Sequence, residues 1–257
     1  MRINRYLAAC GLGSRRAVEQ LVLDGRASIA GAVVRDLGAQ VAEGAIVTVD
    51  GRRVSPPTLG RVFLFHKPVN VMTTKVDPAG RRTIYDLLPA GFERYAYAGR
   101  LDFASRGLLV LTDDGELLHR LTHPRWDHPK RYLVELDAPL SPADLVRIRD
   151  GSIELPDELP LKPVAVQAEA CQVQLELREG RNRQIRRMME MLGRQVLDLC
   201  RVSVGCWTLG SLAPGAWREL APTEIDPMRV LLGLPPMRAA AAPGAAPSPA
   251  PSPRARR

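Results

Sequence analysis

Residues 107–112, GLLVLT, form a nearly unbroken apolar run closed by the turn sequence DDG at 113–115. A run of this length between turn signals reads as a buried strand, and a buried strand needs a sheet and a core around it. A short way before it stands Asp102, between Leu101 and Phe103 and just behind Gly99 and Arg100. An ionisable side chain with such dry neighbours has two readings. It is either a turn residue bonding nearby backbone N–H groups or a chemical group. The chain can supply the core: 257 residues, 46% hydrophobic, are enough for one large domain and a small one.

Local patterns divide the chain. INRYLAACG (3–11) reads as a short helix with Ile3, Tyr6 and Leu7 on one face. Ser14 suits an N-cap for a second helix, RRAVEQLVLDG, with Ala17, Val18, Leu21 and Val22 inward and Gly25 at its end. ASIAGAVV and AIVTVDGRRV read as strand pairs turning at Ala30-Gly31 and Asp50-Gly51. SPPTLGR (55–61) reads as a linker, since paired prolines end a strand and stiffen a connection. Beyond it, VFLFHKP, RYLVELDAP and CQVQLELREG read as strands, and SPADLVRIRDG and NRQIRRMMEMLG as helices. The last has Ile185, Met188, Met189 and Leu192 as its inner stripe. Strands and helices mingle without strict alternation, which gives an α+β chain with a mixed, largely antiparallel sheet flanked by helices. The expected units are a small α/β unit at 1–54, the linker, a larger unit at 62–236 and a disordered Ala/Pro/Arg-rich basic tail at 237–257.

Charge points to the partner. Lys and Arg total 36 against 28 Asp and Glu, a formal +8, which favours a polyanion such as nucleic acid. Arg2, Arg5, Arg15 and Arg16 gather around the first two helices, and Ser14 with Arg15 and Arg16 opens the second. Such a helix start holds phosphate, or it is a solvated basic face. Four scattered cysteines with no C-x-x-C fit a reduced, cytoplasmic protein. RINRYLAACGLGS after Met1 is too short and too charged an apolar run for a signal peptide, and no run approaches the ~20 apolar residues of a membrane helix. His119, His123 and His128 lack H-E-x-x-H, since position 120 is Arg, so they read as surface or packing residues and no metal is expected. Asp113, Asp114 and Glu116 read as a turn and helix start rather than a Mg²⁺ site.

A second constellation is REGRNRQIRRMMEMLGRQVLDLCR, with Arg181, Arg183, Arg186 and Arg187 close together. Arg186 stands one step from the inner stripe, where a charge needs an anionic partner. Asp102 is the candidate, and the pair would hold the carboxylate ionised. A third is KRYLVEL, with Tyr132 at a strand start.

Together these segments resemble the pseudouridine synthases of the RsuA/RluB branch, over roughly residues 1–235. GRLDFASRGLLVLTDDGELLHRLTHP is similar to their catalytic motif, with Asp102 at the catalytic aspartate. KRY is similar to their K-x-Y, with Tyr132 as the active-site tyrosine. EGRNRQIRRMMEMLGRQVLDLCRVSVG is similar to a third motif, with Arg186 at the basic partner and Leu199 at an apolar position. Lys67-Pro68 and DPAGRRTIYDLLP fit as well. CGLGSRRAVEQLVLDGRASIAG resembles the S4 RNA-binding domain, departing from it at Ala30, where that family has Asn or Asp.

The resemblance implies isomerisation of ribosomal-RNA uridine to pseudouridine, in the large subunit rather than the small, without cofactor. Asp102 would attack C1′ or remove a proton from C2′. Tyr132 would stack on the base, and Leu101 and Leu199 would keep the pocket dry. Arg2, Arg5, Ser14, Arg15, Arg16, Lys67, Arg100, Arg181, Arg183 and Arg187 become candidate RNA contacts, Arg187 equally a surface charge. The expected protein is a cytoplasmic monomer acting on ribosomal RNA or an assembly intermediate, with no membrane association. A non-catalytic RNA-binding or ribosome-assembly protein and a nucleoside hydrolase are the rivals. The hydrolase lacks its second carboxyl.

Overall fold

Residues 1–42, 44–55, 60–156 and 160–237 are described by a computed structural model. Its first elements are α1 (Ile3–Ala9), α2 (Arg15–Leu23), β1 (Ala27–Ile29), β2 (Ala32–Val34), β3 (Val47–Val49) and β4 (Arg52–Val54). Ser14 Oγ accepts from Ala17 N at the start of α2, as the capping pattern predicts. Gly25, at φ +72°, ends it. The four strands form an antiparallel sheet in the order β2-β1-β3-β4. Both hairpin turns are left-handed at two successive residues, Ala30-Gly31 and Asp50-Gly51. Ala30 adopts that turn without the Asn or Asp that would favour it. Ile3, Leu7, Val18, Val22, Val47 and Val49 bury the space between helices and sheet, while Ala17, expected inward, is exposed.

The larger sheet contains β5 (Val62–Lys67), β6 (Ala96–Tyr97) and β7 (Arg106–Thr112). It continues after α3 (Gly115–Thr122) with β8 (Lys130–Leu136), and after α4 (Pro142–Asp150) with β9 (Ala165–Glu169) and β10 (Gln172–Leu177). After α5 (Gln184–Met191) come β11 (Val196–Val204), β12 (Trp207–Thr208) and β13 (Trp217–Glu219), then α6 (Pro222–Leu231). The nine strands run β13-β5-β7-β11-β8-β10-β9, with β6 and β12 paired to β7 and β11. Only the β7–β11 pair is parallel among these described strands, so the sheet is mixed and largely antiparallel.

The apolar run of β7 is explained by burial on both faces. Leu108 and Val110 pack with Val62, Leu64, Leu117, Ile225 and Met228 beneath α3 and α6. Leu109 and Leu111 pack with Phe63, Phe65, Ile84, Tyr85, Phe92 and Tyr95 on the other face. Removing each such leucine from water contributes about 2 kcal/mol. A third core lies under α4 and α5, where Ile185, Met188, Met189 and Leu192 are buried as their spacing predicts. β9, β11, β13 and α6 were not legible in the sequence. β11 breaks its apolar alternation with Asp198 and Arg201 and carries register shifts beside them. Of the expected linker, residues 56–59 lie outside the described residues, as does the tail from 238.

Candidate functional site

Strand register assembles the site. Tyr132 stands opposite Arg201, Val134 opposite Leu199, and Lys130 opposite Val204. On the other side of β8, Lys130 stands opposite Leu177. Directly paired residues share a sheet face and side chains alternate along each strand. Lys130, Tyr132, Leu177, Leu199, Arg201 and Val204 therefore lie on one face, and all six line a cleft of about 500 Å³. Leu101, Asp102 and Ser105 add to the lining from the loop before β7, and residues 180–185 add to it around the start of α5. The volume suits a single nucleotide-sized ligand.

The Asp102 loop is held by its main chain. Lys67 Nζ donates to the carbonyls of Asp102 (3.0 Å), Ser105 (2.7 Å) and Pro68 (3.0 Å). Thr73 Oγ1 donates to Leu101 O at 2.8 Å, and Asn70 N to Phe103 O at 2.8 Å. Leu101 is buried and Asp102 half-buried. Among the described residues the Asp102 carboxylate makes no hydrogen bond and no ion pair, so it is not serving as a turn cap.

Two expectations need correction. Lys67 is not an RNA contact: it is fully buried, and its ammonium is occupied by the three carbonyls. Arg186 does not form the expected ion pair with Asp102. Its guanidinium fork spans the gap between two main-chain carbonyls, Ala104 O at 2.8 Å and Val196 O at 3.1 Å. The nearby acid Asp198 is already held by Arg106 at 2.8 Å. Burial, then Arg183, lowers the Arg186 pKa, and Asp102 and Asp198 oppose that. Asp102 therefore lies within electrostatic reach of Arg186 without touching it.

The other candidates separate by position. Arg100, Arg181 and Arg183 line the cleft, whereas Arg187 donates to Pro156 O at 3.5 Å and does not line it. Arg183 is exposed and left-handed, at φ +48°. Arg181 donates to Pro160 O at 2.6 Å and pairs with Glu179. Arg5 is exposed and pairs with Glu116 of α3 at 3.2 Å. Arg2 and Arg16 are exposed, and the Ser14 hydroxyl caps α2. Asp114 caps α3 through Glu116 N and Leu117 N and pairs with Arg229.

Sequence reasoning missed three groups on the inner wall. Arg201 is buried, donates Nε–H to Leu108 O at 2.8 Å, and leaves Nη2 without a partner. His128 is buried with Nδ1 at 3.1 Å from Trp126 O and Nε2 unpartnered. Burial, then Lys130, pushes its pKa down to about 4, so it is neutral at pH 7. Burial, then Arg201, pushes Lys130 down to about 8, against the opposing pull of Asp127. Only Lys130 was findable, two residues before Tyr132 on a strand that alternates.

Burial likewise pushes Lys67 down to about 8, with Asp102 opposing and Arg201 assisting. Protonated, it has one N–H for each of its three carbonyls; neutral, it has one too few. Turnover should therefore fall as pH rises through about 8, checked by single-turnover rates from pH 6 to 10. Lys67→Met, which strands all three carbonyls, should cost about 2–4 kcal/mol in a denaturant titration and slow turnover further.

Among the described residues no helix is long and apolar enough to cross a membrane. A family model for RNA pseudouridylate synthase matches residues 61–191. The chain is 38% identical over 240 residues to an Aquifex aeolicus protein described as an uncharacterized RNA pseudouridine synthase, covering 91% of this chain and 96% of that one. It is 33% identical over 238 residues to the ribosomal large subunit pseudouridine synthase B of Bacillus subtilis, covering 90% and 96%. A crystal structure of a pseudouridylate synthase superposes with a TM-score of 0.65 at 28% identity, covering 89% of this chain and 99% of that one.

Proposed function

The chain belongs to the RNA pseudouridylate synthase family, and on that premise we propose that it converts uridine to pseudouridine in the ribosomal RNA of the large subunit. The reaction breaks N1–C1′, turns the base and joins C5 to C1′, with nothing oxidised and no water consumed. It needs one ionised carboxylate, a dry pocket and a nucleotide brought out of its stack. The observation that carries this reading is the unengaged Asp102 carboxylate on a pinned loop beside Tyr132, Leu101 and Leu199 in one cleft. Asp102 attacks C1′ or abstracts the C2′ proton; either route uses the ionised form. Tyr132 stacks on the base, and Arg186 positions the Asp102 loop through the Ala104 carbonyl. No cofactor is required. Arg100, Arg181 and Arg183 receive the RNA around the flipped uridine. The assignment to the large subunit follows the printed name of the Bacillus subtilis relative.

Residues 1–54 act as an S4 RNA-binding domain and residues 62–236 as the catalytic domain. Support comes from the SRR-opened helix on a small sheet, with Arg2 and Arg16 exposed. The enzyme works as a monomer in the cytoplasm on ribosomal RNA or an assembly intermediate.

Unmodified large- and small-subunit RNAs, incubated with the full chain and mapped by carbodiimide-blocked primer extension, test the reading. A new stop in the large-subunit RNA is expected. A stop only in the small-subunit RNA overturns the substrate, and no stop in either overturns the activity. Replacing Arg15 and Arg16 with Ala should weaken RNA binding about tenfold and flatten its salt dependence. Unchanged affinity and slope in a titration would remove the N-terminal unit from RNA recognition.

A further inference from the structure

The inner wall of the cleft concentrates positive charge that has no ion-pair partner among the described residues. Lys130 and Arg201 lie on the same sheet face as Tyr132, with Arg201 directly across from it. Among the described residues no carboxylate reaches either at ion-pair distance. Arg201 is 3% exposed yet spends one N–H on the Leu108 carbonyl and leaves Nη2 unpaired. The neighbouring apolar groups, Leu177, Leu199 and Val204, keep this end of the cleft dry. A buried charge left this way, as at Arg201, is costly unless an anion meets it, and half-buried Lys130 adds to the same field.

The substrate offers two anions, a backbone phosphate and the base itself. Lys130 and Arg201 flank Tyr132, the group that stacks on the base in the reading above, so the base is the anion that meets them. We propose that Lys130 and Arg201 are further catalytic residues that stabilise the uracil anion released when the glycosidic bond breaks. The inference rests on the pseudouridine synthase reading. The N1–C1′ electron pair leaves with the base, spreading negative charge over N1, O2 and O4. The ammonium and guanidinium donate hydrogen bonds to that charge and transfer no proton. When C5 bonds to C1′, the Asp102–C1′ bond breaks or, by the elimination route, Asp102 returns its proton to C2′. The ring is then neutral, the C5 proton passes to solvent, N1 takes up a proton, and both cations are unchanged. The same anion arises whether Asp102 attacks C1′ or removes the C2′ proton. Preorganised donors aimed at developing charge in a dry site carry large rate effects.

The test compares wild type, Lys130→Gln and Lys130→Arg under single-turnover conditions, on RNA carrying uridine or 5-fluorouridine at the target. Substrate nucleoside is followed by nuclease digestion and chromatography, and RNA affinity by titration. Fluorine stabilises the departing anion by itself. Lys130→Gln should lose about 10²-fold in rate on uridine, clearly less on 5-fluorouridine, with RNA affinity unchanged. Lys130→Arg should keep the wild-type ratio between the two substrates. That ratio is taken within one preparation, so partial unfolding cancels. An equal loss on both substrates overturns the proposal, and so does a loss confined to affinity, which would place a phosphate at Lys130. A wild type that forms no pseudouridine overturns the underlying reading instead.

Discussion

Asp102→Asn should abolish pseudouridine formation, by about 10⁴-fold or more, while leaving RNA affinity within a factor of about two. The size follows from what the side chain is asked to do: an amide neither attacks C1′ nor takes the C2′ proton, and removing a sole nucleophile or base typically costs this much. The selectivity follows from the structure. Among the described residues the carboxylate bonds nothing, and the loop is held by main-chain carbonyls that Asn retains. Stability should therefore change by less than about 0.5 kcal/mol. Primer-extension mapping, filter binding and a denaturant titration on the same preparation separate the three quantities. Residual activity within tenfold of wild type would remove Asp102 from the chemistry.

Gly107→Ala should have the largest structural effect of any single methyl. Gly107 sits at φ +114°, in the region that disfavours side chains. A Cβ there would lie 2.3 Å from the Arg201 carbonyl oxygen and 2.5 Å from its nitrogen. These are backbone atoms of the parallel β7–β11 pair, which cannot step aside without opening the sheet. The expected cost is about 4 kcal/mol or more, a fall in Tm of about 10 °C or more. Because the displaced residues are Arg201 and the strand following the Asp102 loop, turnover should fall in the fraction that stays folded. A melting curve within about 2 °C of wild type would contradict the close approach.

What the sequence reveals and hides follows from the range of each interaction. The β7 run, the Ser14 and Ser141 caps, the two hairpin turns and the inner stripe of α5 are local, and each forms as its pattern predicts. β11 escapes because bulges and the buried Arg201 break its alternation, and its place between β7 and β8 is a long-range fact. The same holds within the site. Asp102, Tyr132, Leu101 and Leu199 are legible and share the cleft. Lys67 and Arg186 are legible as charges, but not as donors to carbonyls far away in the chain. A spacing argument finds a cation near an acid and then pairs them; the fold instead uses both cations to hold the backbone around the acid.

The most direct measurement is tritium release from large-subunit RNA labelled at uridine C5, with digestion products separated in parallel. One tritium lost to water per target uridine, matched by one pseudouridine and no free uracil, and lost entirely in Asp102→Asn, is the predicted result. Free uracil in place of pseudouridine, or undiminished tritium release from the variant, would contradict it.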